Sequence, residues 1–219
     1  MHLNFDSQNA PIGILGGTFD PVHYGHLRAA VEVREMLGLF EVRMLPSARP
    51  PHRETPAAAP EHRFEMLRLA TAADEFLVPD DSEMRRHGPS WMVDTLTGFR
   101  DRYGAQPLVL IIGQDAANAL DSWREWRRLF ELAHIAVMCR PGAAPAYAGE
   151  LGAEMNRRQV SDAAVLRDAP AGGVVSMEIS RLDIASTAIR ALVAEGRPPL
   201  FLTPRSVIGY IREHGLYAC

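Results

Sequence analysis

Cysteine is nearly absent from this chain of 219 residues, which has only Cys139 and Cys219. Two thiols cannot build a disulfide framework, so a reducing, cytoplasmic setting is the simpler expectation. Long apolar runs are missing too, although 47% of the residues are hydrophobic, and no membrane-spanning segment is expected. The opening MHLNFDSQNA has no basic start leading into an apolar stretch, so no secretory leader is read there. An excess of positive charge is lacking as well. The formal net charge is −4, which argues against nonspecific nucleic-acid binding as the main task and leaves room for a local basic pocket around small phosphates.

What is present is concentrated in residues 12–26, IGILGGTFDPVHYGH. The apolar run Ile12 to Leu15 reads as a buried parallel strand bounded by glycine. Gly16 and Gly17 then permit a tight turn in which bare backbone approaches a ligand. Asp20-Pro21 reads as a helix N-cap followed by proline at the first helical position. The helix continues on an apolar stripe through Leu27, Ala30, Val31 and Met36. His23 and His26, three apart, share a face in its first turn. Strand, glycine turn and helix start form a phosphate site, because free N–H groups and the helix dipole point the same way. Two imidazoles add donors and a source of positive charge. The turn is neither a P-loop, since no Gly-Lys-Ser/Thr follows, nor a GxGxxG turn. Two histidines at this spacing also suit zinc, but no third ligand is obvious nearby.

Apolar runs alternate with helical patterns along most of the chain. Strands are expected at 41–45, 108–112, 135–139 and 174–179, and helices near 61–73, 91–103, 115–132, 186–195 and 204–214. Such alternation implies βαβ units and an α/β fold, a Rossmann-like doubly wound parallel sheet with helices on both faces. Ligands are then expected at the carboxyl ends of strands. We read one domain over 1–219, with a short tail at 1–10 and a small helical part at about 180–219.

Three further motifs fall just after strands or at helix starts. Gly113-Gln114-Asp115 follows the strongest strand; Asp115 suits a ribose contact or a helix cap equally well. Trp123 suits a stacking platform or the core. Near the C-terminal end, Ser186 and Thr187 open a helix with Arg190 one turn later, an arrangement for phosphate, for capping, or for both. Finally, the basic loop around His52 and Arg53 is stiffened by proline, which lowers the entropy lost on closing over an anion.

The string GGTFDPVHYGH resembles the G-[GT]-F-D-P-x-H-x-G-H motif of the nucleotidyltransferase superfamily. From Ile12 to Tyr217 the chain resembles one branch of it, the nicotinate-nucleotide adenylyltransferases. PSARPPHRE, HRFEMLRLA, RHGPSWMVDTL, LIIGQDAANALDSWREW, CRPG and TPRSVIGYIREHGLY follow the first motif in order. GPSWMVDTL separates this branch from the shorter phosphopantetheine adenylyltransferases. The resemblance implies adenylyl transfer from ATP to nicotinate mononucleotide, with Mg2+ bound mainly through ATP phosphates. His23, His26 and Arg190 would act in catalysis. Gly16, Gly17, Thr18, Phe19, Gly113, Asp115, Ser186, Thr187 and Arg190 would hold ATP. His52, Arg53, Trp91, Met92 and Trp123 would hold the mononucleotide. No nucleic acid or membrane partner is implied. The chain departs from the family pattern at Ala185, usually serine, at Met92, often threonine, and at Arg53 in place of lysine.

Overall fold

The computed structural model describes residues 10–49, 55–139 and 145–218. Its strands are β1 (Ile12–Gly17), β2 (Val42–Pro46), β3 (Leu77–Pro79), β4 (Leu108–Gly113), β5 (His134–Cys139) and β6 (Val174–Glu178). They form one sheet in the order β3-β2-β1-β4-β5-β6. This is the Rossmann order, reversing between β1 and β4. The register is parallel where β4 meets β1, with Ile12 opposite Leu108, and onward through Val109 opposite His134 and Ile135 opposite Val174. Residues buried on both sides make these strands continuous apolar runs. The helices are α1 (Tyr24–Leu37), α2 (Pro60–Thr71), α3 (Ser82–Arg85), α4 (Met92–Tyr103), α5 (Gln114–Asn118), α6 (Trp126–Leu132), α7 (Gly149–Arg158), α8 (Ser186–Ala194) and α9 (Arg205–Glu213).

The expected elements reappear with three differences. The helix read over 115–132 is broken: α5 gives way to a 3-10 turn at Leu120–Ser122, and α6 starts after Glu125, whose backbone is left-handed with φ 51°. Neither β3 nor α3 was expected, and α7 lies in a stretch where the pattern is weak. The third difference concerns Asp20-Pro21, which does not open α1. That helix begins at Tyr24, and its first turn hangs on the carbonyl of His23, which accepts from the N–H groups of His26 and Leu27 at 2.9 and 3.2 Å.

The chain forms two compact units. The first comprises the described parts of Met1–Leu15, Glu32–Arg43 and Trp91–Ser180. Its core is built on Ile14, Val109, Leu110, Ile135 and Val137, all fully buried. Arg100 ties its periphery by donating to the carbonyls of Gly104, Gln106, Leu132 and Pro170 at 2.6–2.9 Å. His134 bridges two backbone groups, its Nε2 against Ala169 O at 2.8 Å and its Nδ1 accepting from Gly173 N–H at 2.9 Å. The second unit comprises Gly16–Val31, Met44–Ser90 and the described part of Arg181–Cys219. In it, α2 packs on α9 and β3 and buries Arg63, Met66 and Leu67 completely. Among the described residues no helix is long and apolar enough to cross a membrane.

Candidate functional site

The segment from Gly16 to His26, with everything that holds it, lies in the second unit. Gly17 is needed for steric reasons: a Cβ there would fall 2.9 Å from the ring of Phe19. Phe19 is buried, yet its φ is 49°, in the left-handed region that a large side chain rarely enters. Such strain persists where the surroundings over-determine it, and here they do. Five carbonyls of the loop are taken up by the protein. Gly17 O accepts from Ser47 N–H at 2.9 Å and Thr18 O from the Arg63 guanidinium at 2.8 Å. Asp20 O accepts from Arg190 at 2.7 Å, Pro21 O from Ser186 Oγ at 2.9 Å, and Val22 O from Thr203 Oγ1 at 2.7 Å. In a planar trans peptide the N–H points opposite the carbonyl. Clamping the carbonyls of Gly17, Thr18, Pro21 and Val22 therefore aims the amides of Thr18, Phe19, Val22 and His23 away from these anchors.

Asp20 is a tie rather than a helix cap. Its carboxylate accepts from Ala57 N–H at 2.7 Å, Ala58 N–H at 3.1 Å and Tyr217 OH at 2.7 Å, and Arg190 lies 3.7 Å from it. Burial, reinforced by the hydrogen bond to Asp20, pushes the Tyr217 phenol well above its ordinary range, so it stays a donor.

His23 and His26 do share a face, with rings stacked at 3.7 Å and 23° apart, and Phe19 meets His26 edge-on at 5.0 Å. Desolvation lowers the His23 pKa to about 4. This ring is therefore neutral at pH 7, where the sequence had suggested a source of charge. Its Nδ1 is buried with no hydrogen-bond partner among the described residues. Gly25 leaves room for the ring, since a Cβ there would sit 3.0 Å from it.

Ser186 is not the cap of α8. The N-cap position is Ala185, with extended backbone and no side-chain cap, so the departure from serine falls where a hydroxyl would have capped the helix. Thr187 is exposed and Arg190 half-buried.

Of the remaining predicted residues, Trp91, Met92, Gly113, Asp115 and Trp123 belong to the first unit. Gly113 is the N-cap of α5, and a Cβ there would meet nothing within 4 Å. Asp115 is exposed in the first turn and does not cap it. Trp126 is buried against Phe130, with ring centroids 6.2 Å apart, whereas Trp123 stays partly exposed. Trp91 precedes α4 and its carbonyl accepts from Thr95 N–H at 3.2 Å; Met92 is the first helical residue, and no side chain caps this end. The Arg124 guanidinium lies 5.7 Å from the Trp91 ring centre. His52 and Arg53 lie outside the described residues. Sequence reasoning missed Arg63, Thr203 and Tyr217. Arg63 left one signal: it falls with Met66 and Leu67 on the apolar stripe of its helix, where a solvated arginine would not be. No group of three His, Cys, Asp or Glu among the described residues could hold a metal ion.

A sheet of Rossmann order, with a strained histidine-bearing loop after its first strand, is an architecture suited to nucleotides, and the chain matches a nucleotidyltransferase family. The cytidylyltransferase-like family model matches residues 14–192. The chain is 50% identical to the "Probable nicotinate-nucleotide adenylyltransferase" of Methylococcus capsulatus over 208 residues, covering 94% of this chain and 99% of that protein. It is 43% identical to the like-named protein of Aeromonas hydrophila, covering 94% and 97%. Its fold is similar to that of Plasmodium falciparum nicotinic acid mononucleotide adenylyltransferase complexed with NaAD, with TM-score 0.69 and 17% identity, covering 95% of this chain and 97% of that one. The chain thus belongs to the cytidylyltransferase-like family and, within it, to the nicotinate-nucleotide adenylyltransferases.

Proposed function

We propose that the protein transfers the adenylyl group of ATP to nicotinate mononucleotide, releasing pyrophosphate and forming nicotinate adenine dinucleotide, a step of NAD biosynthesis. The observation that carries this reading is the loop Gly17–His23, whose anchored carbonyls turn its amides away from the anchors and whose histidine stacks on His26. The similarity to the Methylococcus protein supports the choice of substrates.

The acceptor phosphate is already an anion, so no side-chain nucleophile or strong base is required. Its oxygen attacks the α-phosphorus while the bond to pyrophosphate breaks on the opposite side. The barrier is charge crowding and alignment, which oriented donors relieve without reorganising. Gly16, Gly17, Thr18 and Phe19 would offer backbone to the ATP phosphates. His23 and His26 would donate ring N–H groups, and a ligand oxygen would accept from the buried His23 Nδ1, which has no partner among the described residues. Ser186, Thr187 and Arg190 would meet the triphosphate from the start of α8, and Gly113 and Asp115 the ribose. Trp123 would stack on the pyridine ring, amides at Trp91 and Met92 would meet its carboxylate, and His52 and Arg53 would lie near the acceptor phosphate.

Asp20, the carboxylate nearest the histidines in sequence, is occupied by Ala57, Ala58 and Tyr217. The donor set therefore fits Mg2+ held by ATP's own oxygens rather than by a protein cage. Bound there, the ion would neutralise phosphate charge. We further propose a cytoplasmic location, with no nucleic-acid or membrane partner, and a single catalytic domain over the whole chain. Pyrophosphate release is to be measured with ATP and nicotinate mononucleotide, and in parallel with the amidated mononucleotide. Turnover is expected with the acid form; its absence with both would end this reading.

A further inference from the structure

An arginine buried to 0% exposure is costly to place, since the guanidinium cannot shed its charge at neutral pH. Arg63, on α2, is such a residue. It touches three separate stretches of chain: Nε donates to Ala58 O at 3.1 Å, one terminal nitrogen to Thr18 O at 2.8 Å, and the other toward Ala48 O at 3.5 Å. Ala48 follows β2, Ala58 precedes α2, and Thr18 lies in the loop after β1.

The contact with Thr18 has a directional effect. The Thr18 carbonyl and the Phe19 N–H belong to one planar peptide unit, so pulling the oxygen toward α2 turns the N–H the other way. Phe19 is also the residue with φ 49°. Arg63 holds the peptide before it, and Arg190 the carbonyl of Asp20 after it. Two guanidiniums thus bracket one strained residue.

We propose that Arg63 is a positioning residue for adenylyl transfer. It fixes the Thr18–Phe19 peptide in the strained conformation that directs the Phe19 N–H at a phosphate oxygen of ATP, without touching substrate itself. The fork geometry matters as much as the charge. A lysine ammonium is a single point on a flexible stem and cannot reproduce three separated donors in one plane. The inference rests on the reading that this loop receives the ATP phosphates.

Two measurements test it, after wild-type production of nicotinate adenine dinucleotide from ATP and nicotinate mononucleotide has established that parent reading. In the R63K protein, with rates expressed per folded molecule from a urea titration, kcat is expected to fall at least ten-fold and KM for ATP to rise. KM for the mononucleotide is expected to stay within two-fold. A merely structural arginine would leave kcat per folded molecule near the wild-type value, and that result overturns the proposal while leaving the parent reading intact. In 15N-labelled wild-type protein, saturating MgATP is expected to move the Phe19 amide proton downfield and slow its exchange. An unmoved Phe19 amide, with neighbouring loop amides shifted, overturns the proposal even if R63K does not fold.

Discussion

Single atoms decide much of what happens around His23. The ring is held by stacking on His26 and by the bare Cα of Gly25, where a methyl group would intrude to 3.0 Å. In Gly25→Ala, helix propensity favours alanine by about 1 kcal/mol, which offsets part of the crowding. Stability is therefore expected to change by about 1 kcal/mol or less. The displaced imidazole is expected to lower kcat by roughly ten-fold, since small misplacements of an oriented group are costly. Urea titration and steady-state kinetics on one preparation separate the two effects. His26→Ala removes a donor outright and should lower kcat on the order of 10²–10³-fold; near-normal turnover in a folded variant would remove His26 from the mechanism. Trp123→Ala should raise KM for the pyridine nucleotide more than KM for ATP, because stacking precedes reaction; equal effects would count against the platform.

At the scale of elements, what was legible follows from length and periodicity. β1, β2, β4, β5 and β6 are apolar runs of five or six residues ending near glycine or proline or before a loop, and α2, α4, α8 and α9 carry clear amphipathic stripes, so all were readable. β3 has three residues and α3 four, too few to establish a period. The break between α5 and α6 depends on Glu125 in the left-handed region, which no residue type there announces. The histidine pair was readable because it sits inside a contiguous motif. Arg63 was not, since an arginine on a helix ordinarily means a solvated face. Asp20-Pro21 misled because the dipeptide suits a cap, whereas backbone amides thirty-seven and thirty-eight residues away claim the carboxylate. α8 offers a direct test of local reasoning. Ala185 sits at its N-cap with extended backbone, so Ala185→Ser should stabilise the protein by about 1 kcal/mol, read as a shifted denaturation midpoint with unchanged slope.

For the whole molecule, two buried histidines contribute to the response to acid. Burial lowers the pKa of His23 to about 4, and it lowers that of His134 too, where Nδ1 must stay unprotonated to accept from Gly173. Below pH 6.5 the unfolded chain takes up protons at these positions that the folded one refuses. Their contribution to stability is therefore complete above pH 6.5 and declines as pH falls below it, that of His23 being lost as pH approaches 4. His23 alone accounts for at most about 1.4 kcal/mol per pH unit across that window. Urea midpoints measured from pH 7 to pH 4.5 should decline, and His134→Gln should decline less steeply than wild type; parallel curves would rule out His134 as a source.

The anchors of the loop after β1 also dictate an order of assembly. Arg63 donates across 45 residues, but Ser186, Arg190, Thr203 and Tyr217 donate across separations of 165, 170, 181 and 197 residues. Residues synthesised first thus acquire their working shape last, after the ribosome has delivered the far partners. A nascent chain halted before α8 would carry every letter of the histidine motif and still lack four of the side chains that hold its loop.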